Sequence, residues 1–264
     1  NLYRVEGQEM VAAKLAALSF GDVVFFANSG AEANECSIKL ARRYQASRGN
    51  PEKWRILAFE GSFHGRTLAT LAAAGNEKYL KGFDPAVEGF KQVAFNNLNE
   101  LRAAIDGSTA AILVEPVQGE GGIYPMTEEF VRKARELADR YNAILIFDEI
   151  QCGVGRTGTY FAYQLVDPPV MPDVMVTAKP MGRDAADRPV VPSWAVTSAL
   201  AAVTRASSAR SIRRGTTRAP KMPKISNTTI NSIRVNPWAR WRRVWALRER
   251  RGKSVGVEQS LMQA

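Results

Sequence analysis

A chain of 264 residues, 45% of them hydrophobic, is long enough to bury one large core, which excludes disorder of the whole. Two cysteines and one histidine exclude a disulfide framework and a zinc site of the usual ligand count; no metal is expected, and a reducing, cytoplasmic setting fits. The net charge of +10 is local: residues 183–264 hold 17 Lys/Arg against 4 Asp/Glu, and residues 1–182 hold 19 against 22, so specific nucleic-acid binding is not expected of the chain as a whole.

The opening residues NLYRVEGQEM lack the basic-then-apolar pattern of a leader, and no run approaches the roughly 20 apolar residues of a membrane span, so no membrane partner is expected. From residue 20 to residue 179, short apolar runs alternate with helical patterns, the rhythm of βα units on a mostly parallel sheet. The fold class is α/β. Strands are expected at 23–27, 56–60, 93–96, 110–115, 143–149 and 174–178, most of them too apolar for a half-exposed sheet. In such sheets ligands gather beyond the carboxyl ends of the strands.

The first strand ends at Ala27, the turn Asn28-Ser29-Gly30 follows, and a helix begins near Ala31. Backbone N–H groups at such a helix start suit a phosphate, with Gly30 permitting close approach and Ser29 adding a hydroxyl; an ordinary capped turn fits equally. In FEGSFHGRT, residues 59–67, Phe63 is placed to lie over a flat ring and Arg66 to pair with a carboxylate, or else Phe63 is core and Arg66 a solvated charge. His64 has no Ser or Cys partner pattern and is not expected to transfer protons. Glu115 and Glu120 lie at and beyond the fourth strand end, as acid–base groups or as loop anchors.

A helix is expected over residues 128–141, with Thr127 as its cap and an apolar face of Phe130, Val131, Ala134, Leu137, Ala138 and Tyr141. Asp148 ends a fully apolar strand, where a carboxylate is costly unless a cation receives it or it caps the next turn. A protonated pyridine nitrogen is one such cation. Lys179 ends the last apolar strand, VMVTAK, either as a Schiff-base amine or as an exposed strand-end lysine. After Gly182 the text turns Arg-, Ser- and Pro-rich, with no sustained period. Residues 1–182 therefore read as a core and 183–264 as a basic tail, disordered or translated in a shifted frame, whose Trp238, Trp241 and Trp245 sit among arginines.

The segments ANSGAEANE, GSFHGRT, VEPVQGEGG, FDEIQCGVGRTG and VTAK, in this order, resemble the class III pyridoxal-phosphate-dependent aminotransferases across residues 1–182. The wording from Asn50 to Gly122 is similar to the acetylornithine/ornithine branch of arginine biosynthesis. The resemblance implies a truncated fold type I large domain, the cofactor pyridoxal 5'-phosphate, a homodimer, and transamination between N-acetylornithine (or ornithine) and 2-oxoglutarate. Another ω-aminotransferase, acting on a diamine or ω-amino acid, and an inactive remnant whose tail binds polyanions are the alternatives. By the same resemblance Ser29, Gly30 and Ala31 hold the phosphate, Phe63 stacks on the ring, Asp148 pairs with the ring nitrogen and Gln151 lies near the phenolic oxygen. Lys179 carries the cofactor and shuttles the proton, Arg66 binds a substrate carboxylate, and Glu120 is the carboxylate that alternately engages and releases an arginine. The tail offers no counterpart of the family's continuation after Gly182, so poor turnover is expected of this chain.

Overall fold

The computed structural model describes residues 6–179 and the strands Leu200–Thr204 and Ser232–Arg234. The rest of 183–264, with Trp238, Trp241 and Trp245, lies outside the described residues.

In chain order the elements are α1 (Glu6–Leu18), β1 (Val23–Ala27), α2 (Gly30–Ser47), β2 (Arg55–Phe59), α3 (Leu68–Ala74), α4 (Glu77–Leu80), β3 (Phe90–Val93), α5 (Leu98–Ala104) and β4 (Thr109–Val114). A two-stranded hairpin, β5 (Val117–Gln118) and β6 (Tyr124–Pro125), leads to α6 (Glu128–Arg140), β7 (Ile144–Asp148), β8 (Val174–Thr177), β9 (Leu200–Thr204) and β10 (Ser232–Arg234). The main sheet runs β10-β1-β9-β8-β7-β4-β2-β3. Its β8-β7-β4-β2-β3 portion is parallel throughout, and β9 runs antiparallel between β1 and β8.

Alternation along each strand divides the core into two layers. Leu57, Phe59, Ile112, Val114, Leu145 and Phe147 face α1, α5 and α6, whereas Ile56, Ala111, Leu113, Ile144 and Ile146 face α2 and α3. Helices on both sides explain why every residue of β4, β7 and β8 is buried, and why these strands read as unbroken apolar runs. Truncating a ring such as Phe147 in this core would cost about 3–5 kcal/mol. As expected, α6 starts at Glu128 with Thr127 as its cap, its Oγ1 accepting the Phe130 N–H at 3.2 Å.

Two expectations need correction. The third strand is Phe90–Val93, not 93–96. Asn96 takes a left-handed φ of 61°, a conformation that ends a strand, and Asn97 caps α5 through the Asn99 and Glu100 N–H groups. The stretch after Gly182, read as lacking any strand pattern, contributes β9 and β10 to the sheet. A five-residue strand flanked on both edges needs only a short apolar run such as LAAVT, which shows no period to detect. Among the described residues no helix is long and apolar enough to cross a membrane.

The strands β1, β2, β4, β7 and β8 all point the same way, since β1 and β8 are both antiparallel to β9. Their carboxyl ends deliver Ser29, Phe63, Glu115, Asp148 and Lys179 to one edge of the sheet.

Candidate active site

The strand β1 feeds directly into the N-terminus of α2. Ser29 caps this helix, its Oγ accepting the Glu32 N–H at 3.1 Å, which leaves the hydroxyl hydrogen for another acceptor. Glu32 reaches back to the Asn28 N–H at 2.6 Å and fixes the entering turn. Gly30 is pressed against Ile150: a Cβ there would lie 2.9 Å from Ile150 Cδ1. The helix start is thus held against the loop that follows β7, two residues from Asp148.

Asp148 is 2% exposed and accepts three hydrogen bonds. They come from Asn34 Nδ2 at 2.7 Å, His64 Nδ1 at 2.8 Å and the Ile150 N–H at 3.1 Å. Three donors answer the question raised by a carboxylate at the end of an apolar strand. His64 is equally buried, and its partner is an aspartate 84 positions away, not the Ser or Cys that sequence patterns seek.

Phe63 stands at the centre of a second set of contacts. Its N–H donates to Glu115 Oε2 at 2.9 Å, and the Lys179 Nζ lies 6.0 Å from the centroid of its ring. Burial, reinforced by the charge of Asp148, pushes the Glu115 carboxyl up to about 7; His64 and the Phe63 and Gly119 N–H groups act against that rise. Glu115 therefore anchors two loops, the second of which continues to Glu120. A Cβ at Gly119 would lie 2.8 Å from Gln151 Oε1, so this loop packs on Gln151, whose Nε2 is buried without a hydrogen-bond partner.

Glu149, next to Asp148, is fully buried and faces the other way. It accepts the Ala162 and Tyr163 N–H groups at 2.6 and 3.0 Å, closing the glycine-rich loop from Gly153 to Gly158 back onto the sheet. Burial pushes its carboxyl up to about 7, opposed by those two N–H groups and assisted by Asp148.

Three expected site residues sit on the rim. Lys179 and Glu120 are exposed, and Glu120 shares an open cleft with Phe63, Glu60 and Tyr79. Arg66 is exposed as well, its guanidinium 5.6 Å from the centre of the Tyr79 ring. The structure thus brings Asp148, Phe63, Gln151, Lys179 and the start of α2 to one edge, with Arg66 and Glu120 outside the buried part. Sequence reading missed Asn34, the contact of His64, and Glu149. The only signal for Asn34 was its place one helical turn beyond Gly30, on the face that turns toward the strand ends.

The class-III aminotransferase family model matches residues 1–207. Proteins named acetylornithine aminotransferase are similar over 182 residues: that of Agrobacterium fabrum is 58% identical and that of Mesorhizobium japonicum 53%, each alignment covering 69% of this chain and 45% of the relative. The chain spans less than half the length of these relatives. Among solved structures, the ornithine aminotransferase of Toxoplasma gondii superposes with a TM-score of 0.68 at 25% identity, covering 83% of this chain and 50% of that one. The N-acetylornithine aminotransferase of Stenotrophomonas maltophilia gives 0.62 at 35% identity, covering 80% and 49%. With the family model matching residues 1–207, the chain belongs to the class-III aminotransferases, enzymes whose cofactor is pyridoxal 5'-phosphate.

Proposed function

We propose that this edge of the sheet is the cofactor side of a site that transfers the terminal amino group of N-acetylornithine, or ornithine, to 2-oxoglutarate. The observation that carries the reading is the convergence of Asp148, Phe63 and Lys179 in a segment 58% identical to a protein named acetylornithine aminotransferase.

The residues present fit pyridoxal phosphate. Asp148 offers a buried acceptor, Gln151 Nε2 is a buried donor without a partner, and the start of α2 presents N–H groups beside the Ser29 hydroxyl. When bound, the cofactor supplies a pyridinium ring that withdraws electrons from the reacting carbon. Ser29, Gly30 and Ala31 would hold its phosphate. Phe63 would lie beside the ring, Asp148 would receive the ring nitrogen, and Gln151 would donate to the phenolic oxygen. Lys179 is the amine that would hold the cofactor and would carry the proton during the transfer. Arg66 binds a substrate carboxylate at the rim. Glu120 is the rim carboxylate that would alternately engage and release an arginine, for which residues 183–264 offer no recognisable counterpart.

The test is a donor panel with 2-oxoglutarate, following glutamate formation. N-acetylornithine is expected to give the highest kcat/KM, with ornithine second. A second reading, an ω-transaminase of wider range, is favoured by the likeness to the Thermomicrobium roseum (S)-enantioselective ω-transaminase, with a TM-score of 0.66 at 28% identity. Preference for simple amines over both ornithine derivatives would establish it.

A further inference from the structure

The two oxygens of Asp148 are used unequally. Oδ2 receives Asn34 Nδ2 at 2.7 Å and lies 2.8 Å from His64 Nδ1, which donates to an ionised carboxylate when it carries the ring hydrogen, whereas Oδ1 receives the Ile150 N–H at 3.1 Å. A carboxylate oxygen has about two good acceptor directions, so Oδ2 is filled and Oδ1 retains one. The pattern turns on Asn34. Its Nδ2 also donates to the His64 carbonyl at 2.9 Å, so both amide hydrogens are committed to acceptors. Exchanging the amide oxygen and nitrogen would set an acceptor against two acceptors, which fixes the orientation of the group. Asn34 is 0% exposed. The same junction is closed by Gly65, whose φ of 127° and backbone leave no room for a Cβ, which would meet Ala31 Cβ at 2.6 Å.

We infer that Asn34 is a positioning residue: by filling Oδ2 of Asp148 together with His64, it turns Oδ1 toward the ring nitrogen of the cofactor. The inference rests on the functional reading above. It gives the asparagine of the ANSGAEANE segment a task separate from the phosphate grip at the start of the same helix. It also couples the two ends of the cofactor site, because a shift of α2 would move Asp148.

Loss of the Asn34 donor would leave Asp148 the stronger base, so it would take more of the ring proton and leave less positive charge on the chromophore. The pH midpoint of the visible absorption of bound pyridoxal phosphate is therefore expected to rise in Asn34→Ala by about one unit, the shift that loss of one hydrogen bond to a charged group produces. A merely structural role would lower the melting temperature and leave that midpoint in place. If both chains bind pyridoxal phosphate with equal midpoints, this inference fails and the functional reading stands; if the unsubstituted chain binds none, both fail. Should Asn34→Ala not fold, the ¹⁵N resonances of His64, the single histidine of the chain, decide the matter in the unsubstituted protein. A hydrogen on Nδ1 supports the filled Oδ2, and a hydrogen on Nε2 alone overturns it.

Discussion

The buried cluster around Asp148 and the rim that carries Lys179, Arg66 and Glu120 are built by different means. Asp148, His64, Asn34 and Glu115 are nearly inaccessible, and each is held by hydrogen bonds to elements distant in sequence. The rim residues are exposed, and Arg66 and Lys179 each lie over a ring, at 5.6 Å from Tyr79 and 6.0 Å from Phe63. The cluster is therefore organised by the fold before any ligand arrives, whereas the rim side chains are left open to solvent.

If the cluster sets the chemistry, the largest effect should follow from Asp148→Asn. Turnover should fall by roughly 10²–10³, the range for removing one preorganised electrostatic partner, while the affinity for pyridoxal phosphate changes far less. Parallel measurement of kcat and of cofactor affinity checks this, and equal losses in both would merge cluster and phosphate grip into one unit. Next comes Gly65→Ala, which should destabilise the chain by about 1–3 kcal/mol through strain and overlap with Ala31, visible as a lower urea midpoint.

At the rim, Arg66→Ala should raise KM for the carboxylate substrate by about tenfold, the worth of a charge-assisted bond near solvent, with cofactor affinity unchanged. A fall in cofactor affinity instead would assign Arg66 to the buried side. A further effect concerns pH. The Glu149 carboxyl lies above its ordinary value, at about 7, so the folded state binds the proton more tightly than the unfolded one. Its contribution is complete below the unfolded value near 4.5 and is lost as pH rises to about 7. Glu149→Gln should flatten that part of the stability–pH curve, as read by denaturation at pH 5 and pH 7.5. An unchanged slope would move the titration to Glu115.

Much of this architecture was legible in the residues. Double burial leaves a plain apolar signature, so β4, β7 and β8, and with them Asp148 and Lys179, could be placed from composition alone. The third strand escapes the apolar signal because VAFN is more apolar than FKQV, and the left-handed backbone at Asn96 ends the strand before that run. Asn34 and His64 were unreadable for another reason. Their partner Asp148 lies 114 and 84 positions away, and no local period encodes such a meeting. Glu149 was hidden by its neighbour: side chains alternate along the end of a strand, so one carboxylate turns to the site and the next to the loop behind it.

The convergence of Asp148, Phe63 and Lys179 on one cofactor is tested most directly by covalent trapping. The purified chain, incubated with pyridoxal phosphate and reduced with borohydride, is digested and the modified peptide identified by mass spectrometry. A pyridoxyl group on Lys179, absent from Lys179→Ala treated in the same way, is the predicted result; an adduct chiefly on another lysine, or none at all, would contradict it.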